Sequence, residues 1–174
     1  MIYEGAPSIH LADIARTLRQ KRNENYRCLY LNSAPMIAGM RSHLAALGMD
    51  VEKEIAEGAL VLSADQGHLL DGRFEANRMI EALHVALQLA LADGFAGLWA
   101  AGDMTWEFGS ETNLPKLLDY ERRLEVFMHS HPQLCGVCLY HRDTLPRQAI
   151  DDALATHPAL YVSATLSQLN PAYG

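Results

Sequence analysis

Gly97-Leu98-Trp99-Ala100-Ala101 is the stretch that decides the fold, because such a run of small and apolar residues is typical of a strand buried on both faces of a sheet. It leads into Gly102-Asp103-Met104-Thr105-Trp106-Glu107. A long amphipathic helix is predicted before it, at 76–92, and a half-buried helix after it, at 114–129. A buried strand between two helices is the repeating unit of a parallel sheet that is covered on both faces.

Strands and helices alternate along the rest of the chain as well. We predict further strands at 1–4, 26–31, 59–63, 135–140 and 159–163, and helices at 9–21, 35–47, 51–57 and 147–155. Ser8 is the predicted N-cap of the first helix. The sequence therefore predicts one α/β domain over residues 1–174, a three-layer fold with a mostly parallel sheet of five or six strands and helices on both faces.

The bulk composition fits an ordinary globular domain and disfavours several classes of function. The hydrophobic fraction is 49%, and 14 Lys and Arg against 21 Asp and Glu give a net charge of −7, which argues against direct nucleic-acid binding and against an anionic membrane as partner. There is no apolar run of about 18 residues and no signal peptide at the first residues. We expect a cytoplasmic protein with Cys28, Cys135 and Cys138 reduced.

The motifs of nucleotide and acyl chemistry are missing from the sequence. No G-x-x-x-x-G-K-[ST] occurs, and the first turn reads Tyr3-Glu4-Gly5-Ala6-Pro7-Ser8, where a carboxylate repels phosphate and no lysine follows. The dinucleotide fingerprint G-x-G-x-x-G and the hydrolase elbow G-x-S-x-G are absent too. We expect the scaffold of a nucleotide-binding protein without its chemistry, with no catalytic residue and no cofactor.

Polar and aromatic side chains follow the predicted strands. Ligands of parallel sheets bind beyond the C-terminal ends of the strands, a rule that points to residues 3–4, 32–33, 65, 103–107 and 140–142. Asp103 either holds a ligand or caps a turn, and Trp106 either faces a ligand or partner or packs on the core as a lid. The candidate ligand-binding residues, from this rule and from the resemblance below, are Tyr3, Glu4, Arg73, Asp103, Trp106, Tyr140 and His141.

Two other motifs receive a structural interpretation. Cys135-Gly-Val-Cys138 spells C-x-x-C, but it lies inside a predicted strand, where positions i and i+3 point to opposite faces, so two buried small side chains are expected. His129-Ser-His131 resembles a metal-binding pair, yet it sits at a helix end with no third ligand at short spacing. We therefore predict no metal site.

Six blocks of the sequence carry a resemblance to a known family. They are Arg27-Cys28-Leu29-Tyr30-Leu31, Gly58-Ala59-Leu60-Val61-Leu62, Gly72-Arg73-Phe74, Gly102-Asp103-Met104-Thr105-Trp106, Tyr120-Glu121-Arg122-Arg123-Leu124 and Cys138-Leu139-Tyr140. Together they resemble the MEDS domain, the methanogen and methylotroph sensory domain, from Tyr3 to about Val162. The G-[DE]-M-[ST]-W block followed by a Y-E helix is the most specific part.

The resemblance implies a RecA/KaiC-like core that lacks the Walker A motif and senses small hydrocarbon derivatives. It also implies output through a signalling protein such as a histidine kinase or a transcription regulator, and a possible homodimer. The family carries a His-x-Cys element, proposed to take part in ligand binding, before the stretch that Ile2-Tyr3-Glu4 matches. The present sequence begins after that element, so we expect either an upstream start or a reduced member that works through a partner.

Our leading hypothesis is a non-catalytic sensory or regulatory module that binds a small organic molecule at the C-terminal edge of its sheet. One alternative is a degenerate, ATPase-like nucleotide-binding protein in which Asp103 or Glu107 holds Mg²⁺. Another is a pure protein interaction module.

Overall fold

The computed structural model describes residues 1–66, 69–108 and 113–173 and shows an α/β domain. Its strands are β1 Ile2–Tyr3, β2 Tyr26–Leu31, β3 Leu60–Ser63, β4 Leu69–Leu70, β5 Arg73–Phe74, β6 Gly97–Asp103, β7 Leu134–His141, β8 Ala159–Ser163 and β9 Leu166–Leu169. Its helices are α1 Leu11–Asn23, α2 Ala34–Ala46, α3 Val51–Ala56, α4 Ala76–Ala92, α5 Met104–Phe108, α6 Leu117–Ser130 and α7 Arg147–Thr156, with a 3₁₀ turn at Leu114–Lys116.

Five strands form the central sheet, in the order β1-β7-β6-β2-β3, and every neighbouring pair is parallel. Helices α1, α2 and α3 cover one face, called here the first face, and α4 to α7 cover the second face. The predicted α/β architecture, with a parallel sheet and helices on both faces, is confirmed. The likeness to a RecA/KaiC core stays a prediction.

The alternation of side chains along each strand explains the two layers. In β2, Cys28 and Tyr30 belong to the core of the first face, while Leu29 and Leu31 pack against that of the second. In β7, Cys135 packs on the first face and Cys138 on the second, and both are free thiols. The prediction that the two sulfurs lie on opposite faces of the strand is therefore confirmed, whereas the expectation that both side chains are buried is wrong, because both are half-buried.

Strands β6 and β7 approach each other closely at two small residues. Gly136 pairs with Ala100, and a Cβ atom added to Gly136 would lie 2.0 Å from the carbonyl oxygen of Ala100. Only a glycine fits against the neighbouring backbone at this point. Ala100, Gly102 and Gly136 are all small. Little side-chain volume therefore covers the middle of the sheet on its second face.

Of the five or six strands predicted for the central sheet, the structure shows five, and the segment 159–163 is not one of them. The segment 159–163 is β8, as expected, but it pairs in antiparallel fashion with β9 and forms a separate hairpin. Residues Ala164 and Thr165 turn the chain back at once, so β8 finds its partner locally. All of β9 is exposed, including Leu169, which is 86% exposed.

A second hairpin, β4–β5, lies between β3 and α4, where no strand was predicted. Residues 67 and 68 of this connection lie outside the described residues. Its turn is Asp71-Gly72, and both residues have positive φ, 51° and 76°. Asp-Gly between two short strands is a strong hairpin signal, which the sequence analysis missed.

Two further details of the prediction are wrong. Ser8 does not cap the first helix through its side chain, because α1 begins at Leu11 with His10 in the N-cap position. Trp106 lies in the short helix α5 instead of a loop. Within the described ranges, none of the helices combines the length and the apolar character that crossing a bilayer requires.

Candidate functional site

The order in which successive strands are added to the sheet reverses between β2 and β6. Open α/β sheets bind ligands at such a switch point. The connection from β2 to β3 runs over the first face, and the connection from β6 to β7 runs over the second. Asn32 directly follows β2 and Asp103 ends β6. The side-chain amide of Asn32 donates a hydrogen bond to Asp103 Oδ2 at 3.1 Å and closes this crevice.

Four more side chains join Asn32 and Asp103 in what we call the edge cluster. The Tyr3 hydroxyl donates to Asp103 Oδ2 at 3.0 Å, and the Tyr3 ring stacks on His141 with a centroid distance of 4.9 Å. The Asn32 amide also donates to the Tyr30 hydroxyl at 3.0 Å, and His10 Nε2 lies 3.3 Å from that hydroxyl. The edge cluster is Tyr3, His10, Tyr30, Asn32, Asp103 and His141, and all six residues are buried.

The electrostatics of the edge cluster follow from this burial. Burial raises the pKa of Tyr3 far above its ordinary value, and the nearby Asp103 carboxylate raises it further. Burial likewise raises the pKa of Tyr30. The pKa of His10 is lowered by burial, although Asp103 opposes the shift. Both tyrosines are therefore hydrogen-bond donors at neutral pH, and His10 is neutral.

Asp103 also caps a turn, which is one of the two roles that the sequence predicted for it. Its Oδ1 atom accepts from the backbone N–H groups of Thr105 at 2.9 Å and Trp106 at 3.1 Å. These bonds satisfy the first amides of α5 and start the helical turn that places Trp106 there.

The first turn of the chain is closed by protein groups. The backbone N–H of Gly5 donates to Asp143 Oδ2 at 2.7 Å, and its carbonyl oxygen lies 2.9 Å from His141 Nε2. Glu4 forms an exposed ion pair with Arg142 at 2.6 Å. An amide of the kind that cradles phosphate in nucleotide-binding proteins is thus held by a carboxylate here.

The structure brings together some of the seven predicted ligand-binding residues. Tyr3, Asp103 and His141 lie in the edge cluster. The others lie elsewhere: Glu4 is exposed beside Arg142, Arg73 is exposed on β5, Trp106 is half-buried in α5, and Tyr140 is buried on the second face.

A cavity of about 350 Å³ lies on the second face, between α6 and the small residues of β6 and β7. Its mouth is marked by the four lining residues that are exposed, His129, Gly136, Pro158 and Ala159. Most of the wall is apolar, formed by Leu31, Met79, Leu83, Met104, Leu124, Met128 and Leu134. None of the seven predicted residues lines this cavity.

Part of the cavity wall is polar. Glu121 of α6 is 2% exposed; its Oε1 atom accepts a hydrogen bond from the Tyr140 hydroxyl, and its Oε2 atom lies 3.4 Å from His157 Nε2. Burial raises the pKa of Glu121, while His157 and the hydrogen bond from Tyr140 oppose the shift. Cys138 lines the same region, and burial raises its pKa strongly.

Sequence reasoning missed Glu121, His157 and the cavity itself. One signal was present: Ala100 and Gly136 lie in two predicted strands that the sheet pairs side by side, and small residues on neighbouring strands leave space beneath a helix. His157 gave no signal, because it is a lone histidine between a predicted helix and Pro158.

The fold and these sites define an α/β domain with a closed first turn in place of a phosphate cradle and with a partly open cavity of small-molecule size. The family model that matches the chain is MEDS, described as the MEthanogen/methylotroph, DcmR Sensory domain, and it matches residues 3–158. The chain therefore belongs to the MEDS family of sensory domains. No curated protein matches it significantly.

Proposed function

We propose that this chain is a non-catalytic sensory or regulatory domain that binds a small organic molecule in the cavity of the second face. Membership of a sensory-domain family supports the general role. The observation that carries the proposal is the cavity of about 350 Å³, which falls within the range of known small-molecule sites.

The lining of the cavity indicates the class of ligand. Leucine and methionine side chains dominate the wall, and methionine adapts its shape to ligands of irregular outline. Glu121, Cys138 and His157 supply polar atoms in one region of the wall. The buried Glu107 lines the cavity as well. The lining therefore favours a small molecule with an apolar body and at least one polar atom, as hydrocarbon derivatives have.

The cavity also reaches the C-terminal edge of the sheet. Leu31 is the last residue of β2, Gly102 is the penultimate residue of β6, and both line the cavity. Gly102 is the neighbour of Asp103 in the chain, and the Asp103 side chain belongs to the edge cluster. The edge cluster, with Trp106 beside it, is our second candidate location for the ligand.

The closed first turn supports the non-catalytic part of the proposal. The Asp143 carboxylate accepts the hydrogen bond of the Gly5 amide and repels a phosphate group. The Glu4 carboxylate also repels phosphate. A magnesium-dependent nucleotide site would need both groups to move.

Output is proposed to pass to a protein partner, such as a histidine kinase or a transcription regulator, in the cytoplasm, either from the monomer or from a homodimer. The mouth of the cavity lies at Pro158 and Ala159, where the β8–β9 hairpin begins. A ligand that changes the packing at the mouth would therefore move an exposed element.

Thermal unfolding with benzene and with dichloromethane as probes tests the location. Ala100→Leu fills the floor of the cavity, so it should abolish the stabilisation that a probe gives the wild type. Trp106→Ala alters the neighbourhood of the edge cluster and should leave that stabilisation intact. The reverse pattern would place the ligand at the edge cluster, and a wild type that neither probe stabilises would contradict the cavity proposal.

A further inference from the structure

Three metal-binding donor atoms meet in the polar part of the cavity. A carboxylate oxygen of Glu121, Sγ of Cys138 and an imidazole nitrogen of His157 all lie within 4.8 Å of one another. They come from α6, from β7 and from the residue after α7. The geometry points to a divalent metal site of the zinc class with these three side chains as ligands.

Hydrogen bonds from neighbouring groups orient two of the three donors. The Tyr140 hydroxyl donates to Glu121 Oε1, which leaves Oε2 facing His157. His157 Nδ1 lies 2.8 Å from the carbonyl oxygen of Ala153, which only accepts, so Nδ1 carries the hydrogen. Metal-binding carboxylates and histidines are oriented by partners of this kind.

This arrangement leaves two acceptors facing each other. With its hydrogen on Nδ1, the neutral His157 ring presents a lone pair at Nε2, and that atom lies 3.4 Å from Glu121 Oε2. A buried carboxylate and a lone pair at this distance repel each other unless a cation lies beside both. A proton on either Glu121 or His157 removes the conflict, and so does a metal ion.

The third donor and the spacing favour a metal ion. Zinc bonds of about 2.0 to 2.3 Å in a tetrahedron place neighbouring ligand atoms about 3.4 to 3.6 Å apart, close to the spacing of Glu121 and His157. A thiolate beside an imidazole selects zinc or cobalt over magnesium and calcium.

All three ligands line the cavity, so the fourth coordination position faces it. An oxygen, nitrogen, sulfur or halogen atom of the sensed molecule would bind there. This last step rests on the proposed function, whereas the metal site itself does not, and the experiment therefore uses metal ions without any organic ligand.

The test is titration of the full chain with Co²⁺, followed by displacement with Zn²⁺. We expect one equivalent of metal to bind in the micromolar range or tighter, and the cobalt complex to show a sulfur-to-metal charge-transfer band. X-ray absorption of the wild-type zinc complex should show one sulfur neighbour among lighter ligands, a result that needs no variant.

Matched variants separate this site from accidental binding by other histidines and cysteines. Cys138→Ser should abolish the charge-transfer band, and Cys135→Ser, on the opposite face of the same strand, should retain it. His157→Gln should weaken zinc binding by at least about 100-fold, the upper effect of removing a supporting group. His131→Gln should not, although His131 Nδ1 likewise contacts a carbonyl oxygen four residues back, in Phe127.

Three results would overturn the site: a wild type without metal affinity in the micromolar range, a zinc complex without a sulfur neighbour, and binding that Cys138→Ser leaves unchanged. The first would leave a proton on Glu121 or His157 as the group that removes the repulsion between the two acceptors. If the chain binds metal but neither benzene nor dichloromethane stabilises it, that result would count against the proposed function alone.

Discussion

The hydroxyl of Tyr3 donates a hydrogen bond to Asp103 Oδ2 at 3.0 Å, between residues 100 positions apart in the chain. Tyr3 is the last residue of the edge strand β1, and Asp103 is the last residue of the inner strand β6. β1 pairs with β7 alone, through two residue pairs. This hydrogen bond therefore adds a second attachment for a short edge strand.

Tyr3→Phe should destabilise the domain by about 1 to 3 kcal/mol, because it removes a buried donor from the Asp103 carboxylate and leaves that oxygen to Asn32 alone. Chemical denaturation of both proteins measures the difference. Tyr26→Phe is the control, since the Tyr26 hydroxyl has no hydrogen bond within the described part of the chain. Equal effects of the two variants would mean that the bond contributes nothing specific.

Gly136→Ala should cost at least about 3 kcal/mol or prevent folding, because its Cβ would lie 2.0 Å from the Ala100 carbonyl oxygen. Gly102→Ala is the matched variant on the same sheet face. There the nearest atom is Met104 Cε at 3.0 Å, the mobile end of a flexible side chain, so a cost below about 1 kcal/mol is expected. Denaturant midpoints compare the two, and a Gly136→Ala protein as stable as wild type would refute the close approach.

Stability should fall as the pH drops below the ordinary histidine pKa of 6.5, because burial lowers the pKa of His10 in the folded state. The unfolded chain then takes up a proton that the folded chain does not, at up to about 1.4 kcal/mol per pH unit. Asp103 opposes this effect and His141 adds to it. His10 Nδ1 has no hydrogen-bond partner among the described residues, so no acceptor contacts the proton that this atom would carry in the charged ring.

Thermal melts between about pH 7.5 and pH 5.5 measure this dependence. His10→Gln should flatten the curve, and His43→Gln, at an exposed position on α2, should leave it as in wild type. A His10→Gln protein with the full pH dependence of wild type would assign the loss of stability to other groups.

The central elements of the fold were predictable because their signals are local. The strand Tyr26–Leu31 and the helix Ala76–Ala92 have the predicted bounds, since an uninterrupted apolar run and a helical period each lie within one segment. The pairing partner of β8 was not predictable in this way. Its strand character is local, but its partner is decided by the turn that follows it.

The candidate site was predictable only in part. The strand-end rule named Tyr3, Asp103 and His141, which the structure does bring together, because parallel strands end at one edge of the sheet. The rule did not identify His10, which lies at the start of helix α1. It did not identify Glu121 or His157 either. Those two meet only because α6 and α7 pack on the same sheet face, and no sequence spacing encodes that contact.

The most direct test of the central claim is a methyl NMR spectrum of the chain labelled at methionine and titrated with benzene. Met79, Met104 and Met128 line the cavity, whereas Met36, Met40 and Met49 belong to the core of the first face. A small molecule in the cavity should shift the first three methyl signals and leave the other three in place. Shifts confined to Met36, Met40 and Met49, or no shift at all, would contradict a ligand site in this cavity.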